Sequence, residues 1–238
     1  MDHSIDRILI TAGPTHEPID AVRYIANRSS GRLGIDLAES AARQGRPVTL
    51  LLGPTALHPN NTQIETIRFR TTADLEAALA EHLPRAGVLI MAAAVADYRP
   101  RRAPGDLQSK RRRTKEGMTL ELEATPDLLA GCAHQRAEAR RENELFIVGF
   151  ALEPREEMLA SAKAKLTRKG VDLIVANPLE TMDAPTIEAS LVAAEGVLAT
   201  TGGKVSKAAF AEWLLEAIER ARVARRGASL QACERPGE

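Results

Sequence analysis

Aromatic side chains are scarce in this chain: one Trp, two Tyr and four Phe make up 3% of its 238 residues. A protein that binds single-stranded nucleic acid by stacking needs aromatic platforms along a basic groove, and here the platforms are missing. A global positive field is missing too, since 32 Lys plus Arg balance 32 Asp plus Glu for a formal net charge of zero. Nothing overall selects a polyanion or an acidic membrane, so any preference for anions has to be local. Cysteine is nearly absent. Cys132 and Cys233 have neither CxxC spacing nor a matching His cluster, which excludes a disulfide framework and a zinc site and fits a reducing compartment. Long apolar runs are lacking as well: no segment approaches 18 such residues, and Met1-Asp2-His3-Ser4 lacks the parts of a signal peptide. The expectation is a soluble, cytoplasmic protein with no membrane and no nucleic-acid partner.

What is present is an alternation of short apolar runs rich in β-formers with segments of helical period. It predicts an α/β fold, a Rossmann-like three-layer arrangement with a mostly parallel sheet flanked by helices and a small antiparallel hairpin extension. Strands are predicted at Arg7–Ala12, Pro47–Leu52, Gln63–Phe69, Val88–Ala92, Leu145–Phe150 and Val171–Ala176. Leu33, Leu37, Ala38 and Ala41 make one helical stripe, and Leu75, Ala78, Leu79 and Leu83 another, with Thr72 as the cap of the second helix. Further helices are predicted at Pro126–Gln135, Glu156–Arg168 and Lys207–Arg222, and a hairpin joins Ile187–Ala193 to Val197–Thr200. The length fits one domain over 1–225, with the hairpin extension at about 179–205 and a disordered tail over 226–238.

Between the first strand and first helix runs a segment from Gly13 to Gly34, where compact domains use about 2–6 residues. Gly13 and Thr15 open it. Ser29, Ser30 and Gly31 close it at a helix N-terminus, where backbone N–H groups and the helix dipole favour a phosphate or carboxylate. Asn27 alone reads as a loop residue that tolerates a left-handed backbone. In the company of Arg23, one turn earlier, and of the Ser-Ser-Gly cradle, it becomes part of a set able to orient an anion. Small residues from Ala92 to Ala96, with Ala93 among them, end the fourth predicted strand and let a flat base approach the backbone, with Asp97 placed to accept hydrogen bonds. Lys165 and Lys169 are i, i+4 on a predicted helix. The segment Arg99 to Lys115 carries eight cations against Asp106, broken by Pro100, Pro104 and Gly105, and predicts a mobile basic loop over 99–117. A nicotinamide-binding fold is the rival reading, but the first loop has no GxGxxG and the second strand ends Leu52-Gly53-Pro54 with no acid for a ribose.

Six blocks in order, Gly13-Pro14-Thr15-x-Glu17-Pro18-Ile19-Asp20-x-Val22-Arg23, Asn27-x-Ser29-Ser30-Gly31, Ala92 to Tyr98, Pro126-Asp127-Leu128-Leu129, Val148-Gly149-Phe150-Ala151 and Lys169-Gly170-x-Asp172 to Asn177, resemble the phosphopantothenate–cysteine ligases. The resemblance implies that 4′-phosphopantothenate and L-cysteine are joined as an amide in coenzyme A biosynthesis. In the bacterial type CTP, with Mg²⁺, turns the carboxylate into an acyl-cytidylate, and the cysteine amine then displaces CMP. It implies catalytic roles for Asn27, Arg23 and Lys110, and nucleotide contacts for Ala93, Asp97, Phe150, Lys165 and Lys169. Gly13, Thr15, Ser29, Ser30, Gly31, Pro126, Asp127 and Leu128 are assigned to ligand binding on the same ground, and no residue is assigned to a metal. It also implies a homodimer. Lys110 stands at the first lysine of the family's Lys-Ile-Lys-Lys flap, here Lys110-Arg111-Arg112-Arg113, and Arg112 or Arg113 could share its task. Thr125 and Pro178 stand where the family has Asn and Asp. Met1 lies just before the first strand, so the decarboxylase that accompanies many bacterial forms is expected on a separate protein. The alternatives are a non-catalytic nucleotide-binding regulator and the NAD(P)-binding oxidoreductase.

Overall fold

Ile8–Ala12 is buried along its whole length, as a strand covered on both faces must be, and it forms the centre of the sheet (β1). Its side chains alternate: Ile8, Ile10 and Ala12 join one core and Leu9 the other. The computed structural model describes residues 7–101, 110, 112, 115 and 117–233. After β1 the chain runs through β2 (His16–Pro18), β3 (Tyr24–Ala26), α1 (Arg32–Arg43), β4 (Val48–Leu52), β5 (Glu65–Arg68), α2 (Thr72–His82), β6 (Val88–Met91), β7 (Tyr98–Pro100) and β8 (Leu122–Ala124). It continues with α3 (Leu128–Glu138), β9 (Phe146–Glu153), α4 (Met158–Lys169), β10 (Leu173–Pro178), β11 (Thr186–Ile187), β12 (Ser190–Ala193), β13 (Gly196–Thr200), β14 (Val205–Ser206) and α5 (Lys207–Cys233).

Eight strands make one sheet in the order β13-β12-β10-β9-β6-β1-β4-β5. From β5 to β10 all neighbours are parallel, and β12 and β13 add an antiparallel edge. Leu37 and Ala41 of α1 pack with Phe210 and Leu214 of α5 in one core. Leu75 of α2, Leu129 of α3 and Leu166 of α4 belong to the other. The three layers match the predicted fold. Strand order reverses between β1 and β6, and α/β sheets bind ligands beyond the carboxyl ends of the strands at such a point.

Two glycines set how closely the layers meet. A Cβ on Gly34 in the first turn of α1 would fall 2.4 Å from the Ala12 Cβ, so the helix lies flush on β1. A Cβ on Gly53, just after β4, would fall 2.3 Å from the Pro14 carbonyl oxygen. At the other end of the sheet, Asp172 brackets three elements. Its carboxylate accepts from Arg136 of α3 at 2.5 Å, from Arg225 of α5 at 2.7 Å and from the Ile147 N–H of β9 at 2.6 Å. The Arg225 guanidinium also lies 4.8 Å from the Phe146 ring centroid.

Several details differ from the sequence reading. Thr71, not Thr72, caps α2: its hydroxyl accepts from the Asp74 N–H, and Asp74 accepts from the Thr71 N–H in return. Thr72 instead donates its N–H and hydroxyl to the buried Glu17 carboxylate. Strand β9 continues past Phe150 to Glu153 because β10, which runs on to Pro178, supplies partners. Helix α5 does not stop at Arg222. It reaches Cys233, so the first part of the expected disordered tail is helical, as its Ala, Arg and Leu content favours; Gly227 alone does not end it. Residues 234–238 lie outside the described residues. Two short ribbons, β2–β3 and β7–β8, interrupt segments read as loops.

Candidate functional site

The long first loop is stitched to the segment after β6. Ala94 N–H donates to the Gly13 carbonyl at 2.9 Å and Thr15 N–H to the Ala94 carbonyl at 3.2 Å. The Thr15 hydroxyl, fully buried, accepts from the Ala96 N–H at 3.0 Å. Gly13 and Thr15, assigned to ligand binding, therefore lie behind the site and hold its wall. Asn27 finishes the seam by donating Nδ2–H to the Val95 carbonyl at 2.9 Å, which leaves its second N–H for a ligand.

In front of this wall opens a cleft of about 590 Å³ at the carboxyl edge of the sheet. Asn27, Ser29, Ser30, Gly31, Ala93, Asp97, Phe150 and Lys165 all line it. A pocket of about 340 Å³ adjoins it, sharing Ala93, Asp97, Phe150 and Lys165 and adding Pro126, Asp127, Leu128 and Lys169. The structure thus gathers residues from β6, β9, α3 and α4 that are far apart in sequence. Gly31 takes a left-handed backbone (φ 74°) as the N-cap of α1, where a side chain would be strained. Ser29 and Ser30 hydroxyls accept from the Gly31 and Arg32 N–H groups only at 3.4 Å. No acidic side chain occupies the first turn of α1, so its positive end faces the cleft without a carboxylate of its own.

Lys165 and Lys169 share a face of α4 as predicted. Lys165 donates Nζ–H to the Phe150 carbonyl at 2.6 Å. Burial holds its pKa below the ordinary value, opposed by the charges of Glu153 and Asp97. Lys169 is lowered by burial as well, against Asp97, and forms an ion pair with Asp127. Asp127 in turn caps α3 by accepting the Ala130 N–H. Thr125, in place of Asn, donates its hydroxyl to the Ala96 carbonyl. The Pro178 carbonyl accepts from the Thr181 hydroxyl, itself bonded by the Asn177 amide.

Not every expected residue joins the set. Arg23 turns to the buried Asp20 carboxylate, with Nε at 3.0 Å, and does not line the cleft. Asp20 also closes the tight turn through the Val22 and Arg23 N–H groups, so Arg23 braces the loop. The basic segment is neutralised at its base, where Arg99 pairs with Glu123 at 2.8 Å and Arg101 with Glu121 at 3.6 Å. Lys110 and Arg112 are exposed; Arg111 and Arg113 lie outside the described residues, as does most of the flap. The reading overlooked Arg28, Glu153, Asp183 and Lys207, which also line the cleft. Arg28 stands at the variable position of the Asn27-x-Ser29-Ser30-Gly31 block and the other three in no block, and only the folded chain unites them.

The dinucleotide alternative meets an obstacle. The end of β4, where an adenosine ribose would need an acid, carries Gly53 pressed against Pro14. Among the described residues no group of three or more His, Cys, Asp or Glu side chains could hold a metal ion, and no helix is long and apolar enough to cross a membrane.

Residues 4–221 match the pattern of the DNA/pantothenate metabolism flavoprotein C-terminal domain. The coenzyme A biosynthesis bifunctional protein CoaBC of Mycobacterium tuberculosis (strain ATCC 25618 / H37Rv) is 43% identical over 175 residues, 72% of this chain and 41% of that protein. The chain therefore spans well under half the length of that relative. A crystal structure of the C-terminal domain of a coenzyme A biosynthesis bifunctional protein CoaBC superimposes with a TM-score of 0.73 and 32% identity, over 90% of this chain and 94% of that one. A mutant of Cab2 in complex with phosphopantothenate-cysteine gives a TM-score of 0.72 over 98% of this chain and 90% of that one, at 19% identity, a likeness of fold.

Proposed function

Because the chain belongs to the DNA/pantothenate metabolism flavoprotein C-terminal domain family, we propose that it joins 4′-phosphopantothenate to L-cysteine, with CTP as the activating nucleotide. One observation carries the reading: the Asn27 amide, the start of α1, Asp97 and Lys165 are gathered around one cleft, and Lys169 lines the pocket that shares Asp97 and Lys165 with it. The relative's role in coenzyme A biosynthesis and the phosphopantothenate-cysteine bound to the Cab2 mutant support it.

The chemistry runs in two steps. A substrate carboxylate oxygen attacks the α-phosphorus of CTP, pyrophosphate leaves, and an acyl-cytidylate forms. The cysteine amine then adds to the acyl carbon, CMP departs and the amine loses a proton, leaving the amide. Ala93 has no bulk to keep the base from the backbone, and Asp97 accepts hydrogen bonds from base or sugar. Lys165 and Lys169 balance phosphate charge. The desolvated Lys165 interacts more strongly with that charge than a solvated lysine would. The remaining Asn27 N–H is placed to stabilise the oxygen that gains charge when the amine adds. The exposed Lys110 would offset charge on the triphosphate, which as a substrate would bring its own magnesium. In this proposal the protein acts as a homodimer of one folded domain.

Pyrophosphate release should require 4′-phosphopantothenate and CTP, and amide formation should further require cysteine. A base-specific site discriminates by about 10⁴-fold or more when its polar groups go unpaired, so ATP should be a poor substitute. Nucleotide binding without pyrophosphate release would reduce the chain to a binding protein. Equal turnover with ATP and CTP would refute the base preference alone.

A further inference from the structure

The two-step chemistry leaves a proton without a destination. Cysteine arrives mostly as an ammonium, so its nitrogen attacks only after one proton has gone to water, and a second must leave as the N–C bond forms. A base that takes this second proton in the transition state lowers the barrier. None of the groups given a role so far accepts it: the Asn27 amide donates, Lys165 and Lys169 are cations, and Asp97 serves the nucleotide.

Three acids line the cleft, Asp97, Glu153 and Asp183. Asp183 forms an ion pair with Arg28, and Asp97 also lines the adjoining pocket, which Glu153 does not. Glu153 is half-buried and is the last residue of β9, its backbone in register opposite Pro178 of β10. The Ser161 hydroxyl of α4, one turn before Lys165, donates to its Oε1 at 2.8 Å. Among the described residues no donor meets Oε2, and no lysine or arginine stands in ion-pair contact with the carboxylate. The nearby Arg155 turns instead to Glu188, giving its two terminal nitrogens at 3.0 and 3.2 Å. Lys165 feels the Glu153 charge, but its Nζ is engaged by the Phe150 carbonyl. One carboxylate oxygen is thus fixed by a hydroxyl on a rigid strand end, and the other is left to accept.

We infer that Glu153 receives the amine of the cysteine substrate and is the general base of amide formation. This deepens the ligase reading and rests on it. Oε2 accepts a hydrogen bond from the entering amine, whose lone pair attacks the acyl carbon while the carbonyl π pair moves onto the oxygen assigned to the Asn27 N–H. The proton on nitrogen passes to Oε2. The electron pair on oxygen then returns, the bond between the acyl carbon and the phosphate oxygen breaks, CMP leaves with that bonding pair, and Glu153 gives its proton to water. Activation has no use for this base, because attack of a carboxylate on the α-phosphorus moves no proton. Glu153 therefore acts in the second step only.

Single-turnover assays with CTP, 4′-phosphopantothenate and either L-cysteine or hydroxylamine test this, with the melting temperature of each variant. Hydroxylamine is largely a free base at neutral pH and its adduct sheds a proton readily, so it has little need of the carboxylate. Glu153→Gln should slow amide formation with cysteine by about 10²-fold or more. It should release pyrophosphate at the wild-type rate, accumulate acyl-cytidylate and still pass the acyl group to hydroxylamine. Glu153→Asp, which keeps the carboxylate, should recover part of the rate. Ser161→Ala, which leaves Oε1 unheld, should slow the same step by less, and gives a second reading if the Gln variant melts early. Equal losses with both nucleophiles mean a merely structural role and overturn the inference, as does wild-type amide formation in Glu153→Gln. Slowed pyrophosphate release that extra magnesium restores assigns Glu153 to the triphosphate and overturns it too. If the wild type itself releases no pyrophosphate with the full substrate set, the ligase reading fails and the base falls with it; with an active wild type, the variants judge Glu153 alone.

Discussion

Gly34→Ala asks a helix to hold a methyl group where another already sits. The added Cβ would lie 2.4 Å from the Ala12 Cβ and 3.2 Å from both the Ala12 Cα and the Thr11 carbonyl oxygen. Carbon atoms in contact rest at about 3.5–4.0 Å, so α1 must retreat from β1 by roughly 1 Å or more. Overpacking of this kind costs about 1–3 kcal/mol. For a domain of this size each kcal/mol lowers the melting temperature by roughly 2–4 °C, so a fall of about 2–12 °C is expected. The retreating turn is also the one that presents Ser30 and Gly31 to the cleft, and a misplacement of about 1 Å can cost on the order of 10² in rate. Calorimetry and pyrophosphate release measure the two effects. Gly131→Ala is the control: it lies inside α3 with nothing within 4 Å of an added Cβ, so the variant should gain stability by about 0.4–1 kcal/mol. If Gly34→Ala melts and turns over like the wild type, close packing of α1 on β1 does not set the site.

Asn27→Asp should set an oxygen against the Val95 carbonyl that now accepts its amide and remove the second N–H, slowing amide formation by about 10²–10³; mass spectrometry of quenched reactions should find acyl-cytidylate accumulating, and normal pyrophosphate release without any intermediate would refute the role. Lys110→Ala should slow single-turnover pyrophosphate release by roughly 2–4 kcal/mol at most, as for one transition-state donor, and leave melting unchanged because the side chain is exposed; a collapse in Arg112→Ala or Arg113→Ala instead moves the catalytic cation along the flap. Lys165→Met carries a pH signature. Burial holds the lysine below its ordinary 10.5, so the folded state sheds its proton before the unfolded state does. The cost of the buried charge is therefore fully present below the folded pKa and relieved as pH climbs toward 10.5. The variant should melt higher than wild type at pH 7, lose that alkaline gain, and bind CTP less well; a lower melting point at pH 7 would show that the bond to the Phe150 carbonyl outweighs the burial.

The layers were legible because strands covered on both faces become unbroken apolar runs, as in β1 and β4, while α1 shows a one-sided stripe. The start of α1 was legible from Ser29-Ser30-Gly31, and the facing lysines from their four-residue spacing. Thr71 and Thr72 were harder to separate, since adjacent hydroxyls compete for one cap and only the buried Glu17 decides which is free. The three-residue strands of the β2–β3 ribbon are too short to show alternation. Arg23 looked like a ligand because its distance from Asn27 is visible in sequence, whereas the turn that aims it at Asp20 is not. Arg28, Asp183 and Lys207 left no local trace, since their meeting depends on how the loop after β10 and the start of α5 return to α1.

The Asp172 bracket bears on which changes of length the chain can survive. Arg225 is pinned to it near one end of α5, and Lys207 reaches the cleft at the other. A helix rises 1.5 Å and turns about 100° per residue, so its two ends are geared together. One residue inserted between them would swing Lys207 roughly a quarter-turn off the cleft, or else pull Arg225 out of its bracket. Point substitutions on the outer face, such as at the exposed Val223, disturb neither end. Between positions 207 and 225 only the outer face is accordingly free to vary in side chain, the inner face being core, while the residue count is fixed, like a measured strut rather than a tether.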